Sequence, residues 1–105
     1  SVVIKPKNGF GGIGGSVIRP TALANVHKFY QLLGDKLAII GCGGITSGED
    51  AFQHILAGAT MVSIGSQLIM ENELCMFRIQ MELRKIMKTK GYSNIDEFRG
   101  NLKYL

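Results

Sequence analysis

The segment that is most informative about the fold spans residues 37–66 and reads LAIIGCGGITSGEDAFQHILAGATMVSIGS. An apolar run over 37–40 ends in a glycine-rich turn, a helical pattern follows, and a second apolar run over 61–64 ends in Gly65 and Ser66. Runs this short and this uniformly apolar are typical of parallel strands that are covered on both faces. The segment therefore predicts a β-α-β unit.

Small residues follow each predicted strand: Gly43 and Gly44 after the first, Gly65 and Ser66 after the second. The carboxyl ends of neighbouring parallel strands meet at one edge, where backbone N–H groups can converge on an anion. A phosphate oxygen needs such donors at about 2.8–2.9 Å, and a side chain would stand in the way. The pattern is typical of the phosphate site after the last two strands of a (β/α)8 barrel. A tight turn without a ligand is the alternative for the first loop.

Upstream of this segment, residues 1–6 (SVVIKP) predict a short strand closed by proline. Residues 7–16 (KNGFGGIGGS) are too rich in glycine for a regular element. They form either a flexible connector or a surface over which a ligand passes. The spacing of Gly9 and Gly11 matches a dinucleotide fingerprint only weakly, because no helix follows directly.

Three helices are predicted from apolar spacing and from end signals. The predicted start and end residues of the three helices are Thr21 and Gly34, Ser47 and Gly58, and Glu73 and Gly91. The order after the N-terminal strand is thus helix, strand, helix, strand, helix. One further capped turn is predicted over 93–98.

The chain has 105 residues, whereas a complete (β/α)8 barrel needs roughly 250. It also opens inside an apolar run and without an initiator methionine. We therefore expect residues 1–105 to form the C-terminal portion of a single barrel domain in a larger protein. A free-standing small α/β domain is the alternative.

Composition narrows the class of protein. With 46% hydrophobic and 19% charged residues the chain is globular, and no apolar segment approaches the roughly 20 residues of a membrane span. The net charge of +4 invites a nucleic-acid interpretation, but much of the excess lies in one cluster without aromatic residues: Arg84, Lys85, Lys88 and Lys90. We predict a solvated helix face there and no binding of nucleic acid or membrane.

Candidate reactive residues are few. Cys42 and Cys75 show neither metal-ligand spacing nor a disulfide framework, which suits a reducing, intracellular compartment. Cys42 is predicted to pack at a buried strand end, and His54 is predicted to be structural. No metal site and no acid, base or nucleophile pair is predicted. The residues alone leave flavin enzymes, sugar-phosphate isomerases and pyridoxal phosphate proteins open.

Five segments carry a resemblance to a known family: VVIKPKNGFGGIGG, PTALANV, IIGCGGITSGEDAF, AGATMVSIG and KGYSNIDEFRG. In order and spacing they resemble the C-terminal third of class 1A dihydroorotate dehydrogenase, the fumarate-linked branch, over essentially the whole chain. The resemblance implies a (β/α)8 barrel that binds flavin mononucleotide (FMN) and oxidises dihydroorotate to orotate in pyrimidine biosynthesis. It also implies fumarate as electron acceptor, a cytoplasmic location and a homodimer.

The resemblance also implies roles for individual residues. Gly15 would contact the flavin, while Gly43, Gly44, Gly65 and Ser66 would hold its phosphate. The position of Ser66 is often threonine in the family, and serine keeps the hydroxyl. The family's substrate-binding lysine and asparagines and its cysteine base belong to segments upstream of Ser1, so no catalytic residue is expected in this chain, which would be inactive alone. The alternatives are a non-catalytic phosphate-binding fragment or a related flavin barrel such as a dihydropyrimidine dehydrogenase domain.

Overall fold

The computed structural model describes residues 12–103 and has an α/β fold. The elements in chain order are α1 (Arg19–Leu33), β1 (Ile40–Cys42), α2 (Gly48–Ala57), β2 (Met61–Ser63), α3 (Ser66–Glu71) and α4 (Leu74–Lys90), with 3₁₀ turns at Ser16–Ile18 and Ile95–Glu97. The strand predicted over 1–6 and the first part of the glycine-rich loop lie outside the described residues. The turn predicted over 93–98 is confirmed.

The two strands form a parallel sheet with α2 as the connection, which confirms the β-α-β unit. Gly41 lies opposite Val62 in the register. The second strand was predicted within one residue. The first spans Ile40–Cys42 and not residues 37–40, so Gly41 and Cys42 belong to the strand and not to the predicted turn. The reason lies in Thr60, whose side-chain oxygen accepts from the N–H of Ile39 (3.1 Å) and whose own N–H donates to the carbonyl of Ile39 (2.7 Å). The N–H of Ile39 is thus bonded to a side chain and not to a backbone carbonyl of the neighbouring strand, so the regular pairing begins one residue later.

The sheet is covered on one face only within residues 12–103, so the expectation of two covered faces is not met there. Gly41 is buried beside the α2 side chain His54, and Val62 packs on α2 and α4. On the opposite face Ile40 is 60% exposed and Met61 57% exposed. The apolar strands therefore leave a hydrophobic face open.

Most of the predicted helix ends are confirmed. The side chain of Ser47 accepts a hydrogen bond from the N–H of Asp50 (3.3 Å), which confirms the start of α2. The helices α1, α2 and α4 end at Gly34, Gly58 and Gly91, which have φ angles of 56°, 127° and 82°. Glycine takes these positive angles without strain, and this is why all three stop signals were readable.

Two features of the helices were predicted wrongly. Thr21 is not an N-cap, because α1 already begins at Arg19 and places Pro20 in its first turn, where no N–H donor is required. The short helix α3 was missed, so the order contains one helix more than predicted. Ile69 is 88% exposed and Met70 80% exposed, and a helix whose apolar side chains face outwards shows no amphipathic period.

The core lies around α2. Phe98 is fully buried, and its ring stacks on Phe52 with ring centroids 4.7 Å apart, so the C-terminal turn is held against α2. A second cluster joins Ala51 of α2 to Ile79 of α4 through Ile45. The basic cluster of α4 is exposed, as predicted. Among the described helices, none combines the length and the apolar character that crossing a bilayer requires.

Candidate functional site

A cavity of about 300 Å³ lies at the carboxyl ends of both strands. Its lining includes all five residues that were predicted as a site: Gly15, Gly43, Gly44, Gly65 and Ser66. It also includes Ile13, Gly14, Ser16, Ile18, Cys42, Ile45, Thr46, Ser63, Gln67 and Met70. The structure therefore brings three separate loops to one place. Parallel strands deliver two of them to the same edge, and the packing of α1 against Gly43 and Gly44 places the third, which precedes α1, beside them.

The glycines at 43 and 44 are required by the protein's own packing. Their φ angles are 134° and 71°, a region that favours glycine. A Cβ atom on Gly43 would lie 2.6 Å from Cβ of Ala22, and one on Gly44 would overlap Arg19, 2.8 Å from its Cα atom. Thus α1 packs directly against this loop. The approach of a ligand is not the only reason for these two glycines.

Gly65 differs from this pair. Its φ angle is −113°, and a Cβ atom built there would have no described protein atom within 4 Å. Packing between residues 12 and 103 therefore does not require glycine at this position. A substitution at Gly65 adds bulk to the cavity wall without a clash in the protein.

The lining offers neutral hydrogen-bond donors. Within residues 12–103 the backbone N–H groups of Gly44, Gly65 and Ser66 donate to no backbone carbonyl. Ser66 adds a hydroxyl, and no charged side chain belongs to the described lining. Uncommitted amides and a hydroxyl at the ends of parallel strands suit an anionic group.

Behind the cavity, Asp50 ties α1 and the loop after β1 to α2. One carboxylate oxygen accepts from Nη1 of Arg19 (2.7 Å), and the other accepts from the N–H (3.0 Å) and the hydroxyl (2.9 Å) of Thr46. Burial alone would raise the pKa of Asp50, but the hydrogen bonds from Thr46 and the charge of Arg19 lower it overall. The carboxylate is therefore ionised at neutral pH.

Arg78 of α4 connects the two sides of the cavity. Its guanidinium donates to the carbonyl of Thr46 (2.7 Å), to Glu71 at the end of α3 (2.8 Å) and to Glu82 (3.0 Å). Hydrogen bonding to Glu71 is the main cause that raises the pKa of Arg78. Glu82 also accepts from the N–H of Gly48 (2.8 Å). This network, in which the helix after β2 and the loop after β1 share one cation, was not predicted, since its members are distant in sequence.

Two single residues complete the site. His54 is fully buried with Nε2 3.0 Å from the carbonyl oxygen of Gly43, which agrees with a structural role but adds a contact that was not predicted. Burial lowers the pKa of His54. The sequence signal for this contact was Gly41, because a glycine inside a strand often marks the close approach of another group.

The prediction for Cys42 was wrong. Its side chain is exposed on the cavity wall, because side chains alternate along β1 and Cys42 therefore shares the open face with Ile40.

No group of three or more His, Cys, Asp or Glu side chains that could hold a metal ion occurs between residues 12 and 103.

A family model described as dihydroorotate dehydrogenase matches residues 1–87. The chain belongs to the dihydroorotate dehydrogenase family. The family inferred from the five sequence segments is thereby confirmed.

Individual members of the dihydroorotate dehydrogenase family agree with this assignment. The chain is 60% identical over its full length to a Streptococcus uberis protein named as a dihydroorotate dehydrogenase A (fumarate), and 57% identical to a protein of that name from Streptococcus pneumoniae. In both cases the chain spans 34% of the relative, about one third of its length.

Two crystal structures of DHODH from Eimeria tenella share the fold, each with a TM-score of 0.82. The complex with ferulenol is 29% identical and is matched over 89% of this chain and 25% of its own. The ligand-free form is 26% identical and is matched over 95% of this chain and 30% of its own. The arrangement of helices and strands described above is therefore shared with part of those DHODH chains.

Proposed function

We propose that this chain is the C-terminal portion of the (β/α)8 barrel of an FMN-dependent dihydroorotate dehydrogenase and supplies the part of the site that holds the FMN phosphate. The whole protein would oxidise dihydroorotate to orotate and pass the electrons to fumarate, as the names of the streptococcal relatives suggest. The observation that carries the proposal is that Gly15, Gly43, Gly44, Gly65 and Ser66 all line one and the same cavity. The cytoplasmic location and the homodimer remain predictions from the family resemblance.

The open face of the sheet supports a barrel. Ile40 and Cys42 of β1 share this face with Met61 and Ser63 of β2, and all four are exposed. Parallel strands are normally covered on both sides, and in a closed barrel the inner side chains are covered by those of the other strands. Further strands of the same domain would bury this apolar surface.

The cavity residues fit the phosphate end of FMN. The N–H groups of Gly44, Gly65 and Ser66 have no backbone acceptor within residues 12–103, and the hydroxyl of Ser66 lies beside them. When bound, FMN supplies the hydride-accepting chemistry. The described lining contains no carboxylate, histidine, lysine or arginine side chain. Its role would therefore be to bind the cofactor by its phosphate and to orient it.

The test compares FMN with riboflavin, which lacks the phosphate, on the full-length protein after removal of flavin. We expect Ser66→Ala to weaken FMN binding about tenfold or more, since a hydrogen bond to a charged group is worth about 1.5–3 kcal/mol. Riboflavin affinity should not change, and Ser66→Thr should retain FMN affinity because the hydroxyl is kept. Equal loss for both flavins, or no loss for either, would contradict a phosphate site at Ser66.

The enzyme activity needs a separate experiment. In the full-length protein without oxygen, dihydroorotate should bleach the flavin absorbance and fumarate should restore it. A flavin that dihydroorotate does not reduce would exclude dihydroorotate dehydrogenase and favour a related flavin barrel. A full-length protein that binds no flavin would favour the non-catalytic alternative.

A further inference from the structure

The tautomer of His54 can be read from its surroundings. The Nε2 atom lies 3.0 Å from the carbonyl oxygen of Gly43, and because a carbonyl only accepts, Nε2 must carry the hydrogen. The other ring nitrogen, Nδ1, is buried and has no hydrogen-bond partner among the described residues. A cationic ring would place a second N–H there without an acceptor. Burial also lowers the pKa of His54, so the ring is neutral and donates only to Gly43.

The position of the ring is set by Gly41. A Cβ atom on this residue would lie 2.5 Å from Nδ1 of His54 and 3.1 Å from Cβ of Ala59. The imidazole therefore occupies the space that any other residue at Gly41 would fill. With Nδ1 beside Gly41, the opposite ring nitrogen Nε2 lies within hydrogen-bond distance of the carbonyl of Gly43, two residues further along the chain.

The bond from His54 also determines where the next amide points. The carbonyl of Gly43 and the N–H of Gly44 belong to one peptide group, and no peptide bond of the described residues is cis. In a planar trans peptide these two groups point in opposite directions. Since the carbonyl faces the buried ring, the N–H of Gly44 faces away from α2. Gly44 lines the cavity, and its N–H has no backbone acceptor within residues 12–103.

We propose that His54 is a positioning residue that holds the Gly43 peptide so that the N–H of Gly44 is presented to an anionic group in the cavity. The inference rests on the proposed function, in which that group is the FMN phosphate. His54 itself touches no ligand, and its influence passes through one hydrogen bond to the backbone.

Three variants of the full-length protein test this role. His54→Met fills a similar volume without a donor, and His54→Gln keeps an N–H donor at the end of a side chain of comparable length. We expect His54→Met to weaken FMN binding about tenfold, the loss expected for one hydrogen bond to a charged group. His54→Gln should bind FMN within about threefold of the wild type. Gln53→Met, one position earlier on α2, controls for a general disturbance of the helix.

Riboflavin distinguishes positioning from scaffold effects, since it lacks the phosphate. The proposal predicts unchanged riboflavin affinity in every variant, and equal loss of both flavins in His54→Met and His54→Gln would overturn it. If His54→Met does not fold, Gly41→Ala tests the same geometry by displacing the ring, and it should weaken FMN but not riboflavin.

The result for Ser66→Ala separates the two proposals. Weakened FMN binding in Ser66→Ala together with full affinity in His54→Met refutes the role of His54 and leaves the phosphate site intact. Full FMN affinity in both variants refutes the phosphate site itself, and the positioning role with it.

Discussion

Replacing Gly44 by alanine separates the packing role of the glycine pair from its role in ligand approach. The added methyl group would be strained twice, by a φ angle of 71° and by overlap with Arg19, whose Cα atom lies 2.8 Å from the new Cβ. A non-glycine residue at positive φ costs about 1–2 kcal/mol, and overpacking costs about 1–3 kcal/mol. We therefore expect Gly44→Ala to destabilise the flavin-free protein by about 2–5 kcal/mol.

The assay is thermal unfolding of the full-length protein after removal of flavin. For a larger domain each kcal/mol shifts Tm by roughly 2–4 °C, so Tm should fall by on the order of 10 °C. Gly65→Ala is the matched control, because a Cβ atom at Gly65 meets no described atom within 4 Å. This control should leave the flavin-free Tm nearly unchanged and weaken FMN binding. A Gly44→Ala protein with the Tm of the wild type would contradict this prediction, because it would show that α1 does not press on this loop.

Three further predictions concern the surroundings of the cavity. Arg78→Met removes the link between Glu71 and the carbonyl of Thr46, so hydrogen exchange of the amides of α3 should accelerate, as mass spectrometry can measure. Gly48→Ala places a Cβ atom 2.6 Å from a backbone carbon of α4, so Tm should fall by several degrees. Because the folded state lowers the pKa of His54 from 6.5, stability should be complete above about pH 6.5 and decline as the pH falls below it.

Each of these predictions has a control that could contradict it. Arg84→Met removes an exposed cation of the same helix and should leave exchange of α3 unchanged. Gly12→Ala should not alter Tm, since a Cβ atom there has no described neighbour within 4 Å. His54→Gln should lose less stability than the wild type between about pH 7 and pH 5.5, because glutamine does not titrate. An identical decline in both proteins would assign the pH effect to other groups.

Local patterns in the sequence predicted the order of the described elements apart from α3, and they predicted several of the helix ends. Ser47 marks the start of α2 through a hydrogen bond that spans three residues, and Gly58 marks its end through a backbone angle of its own. The small residues after the two strands are equally visible, because they follow directly on apolar runs. Such signals depend on a few neighbouring residues, so they are written into the sequence itself.

The β-α-β unit and the small residues at the ends of both strands could thus be predicted from local sequence alone. Three contacts became visible only in the folded chain: α1 presses on Gly44, His54 donates to Gly43, and Arg78 joins both sides of the cavity. Arg78 and Thr46 are 32 positions apart, and no local period relates them. Contacts of this kind form only when folding brings distant parts of the chain together. They depend on how α1, α2 and α4 pack around the two strands, and no short stretch of sequence specifies that packing.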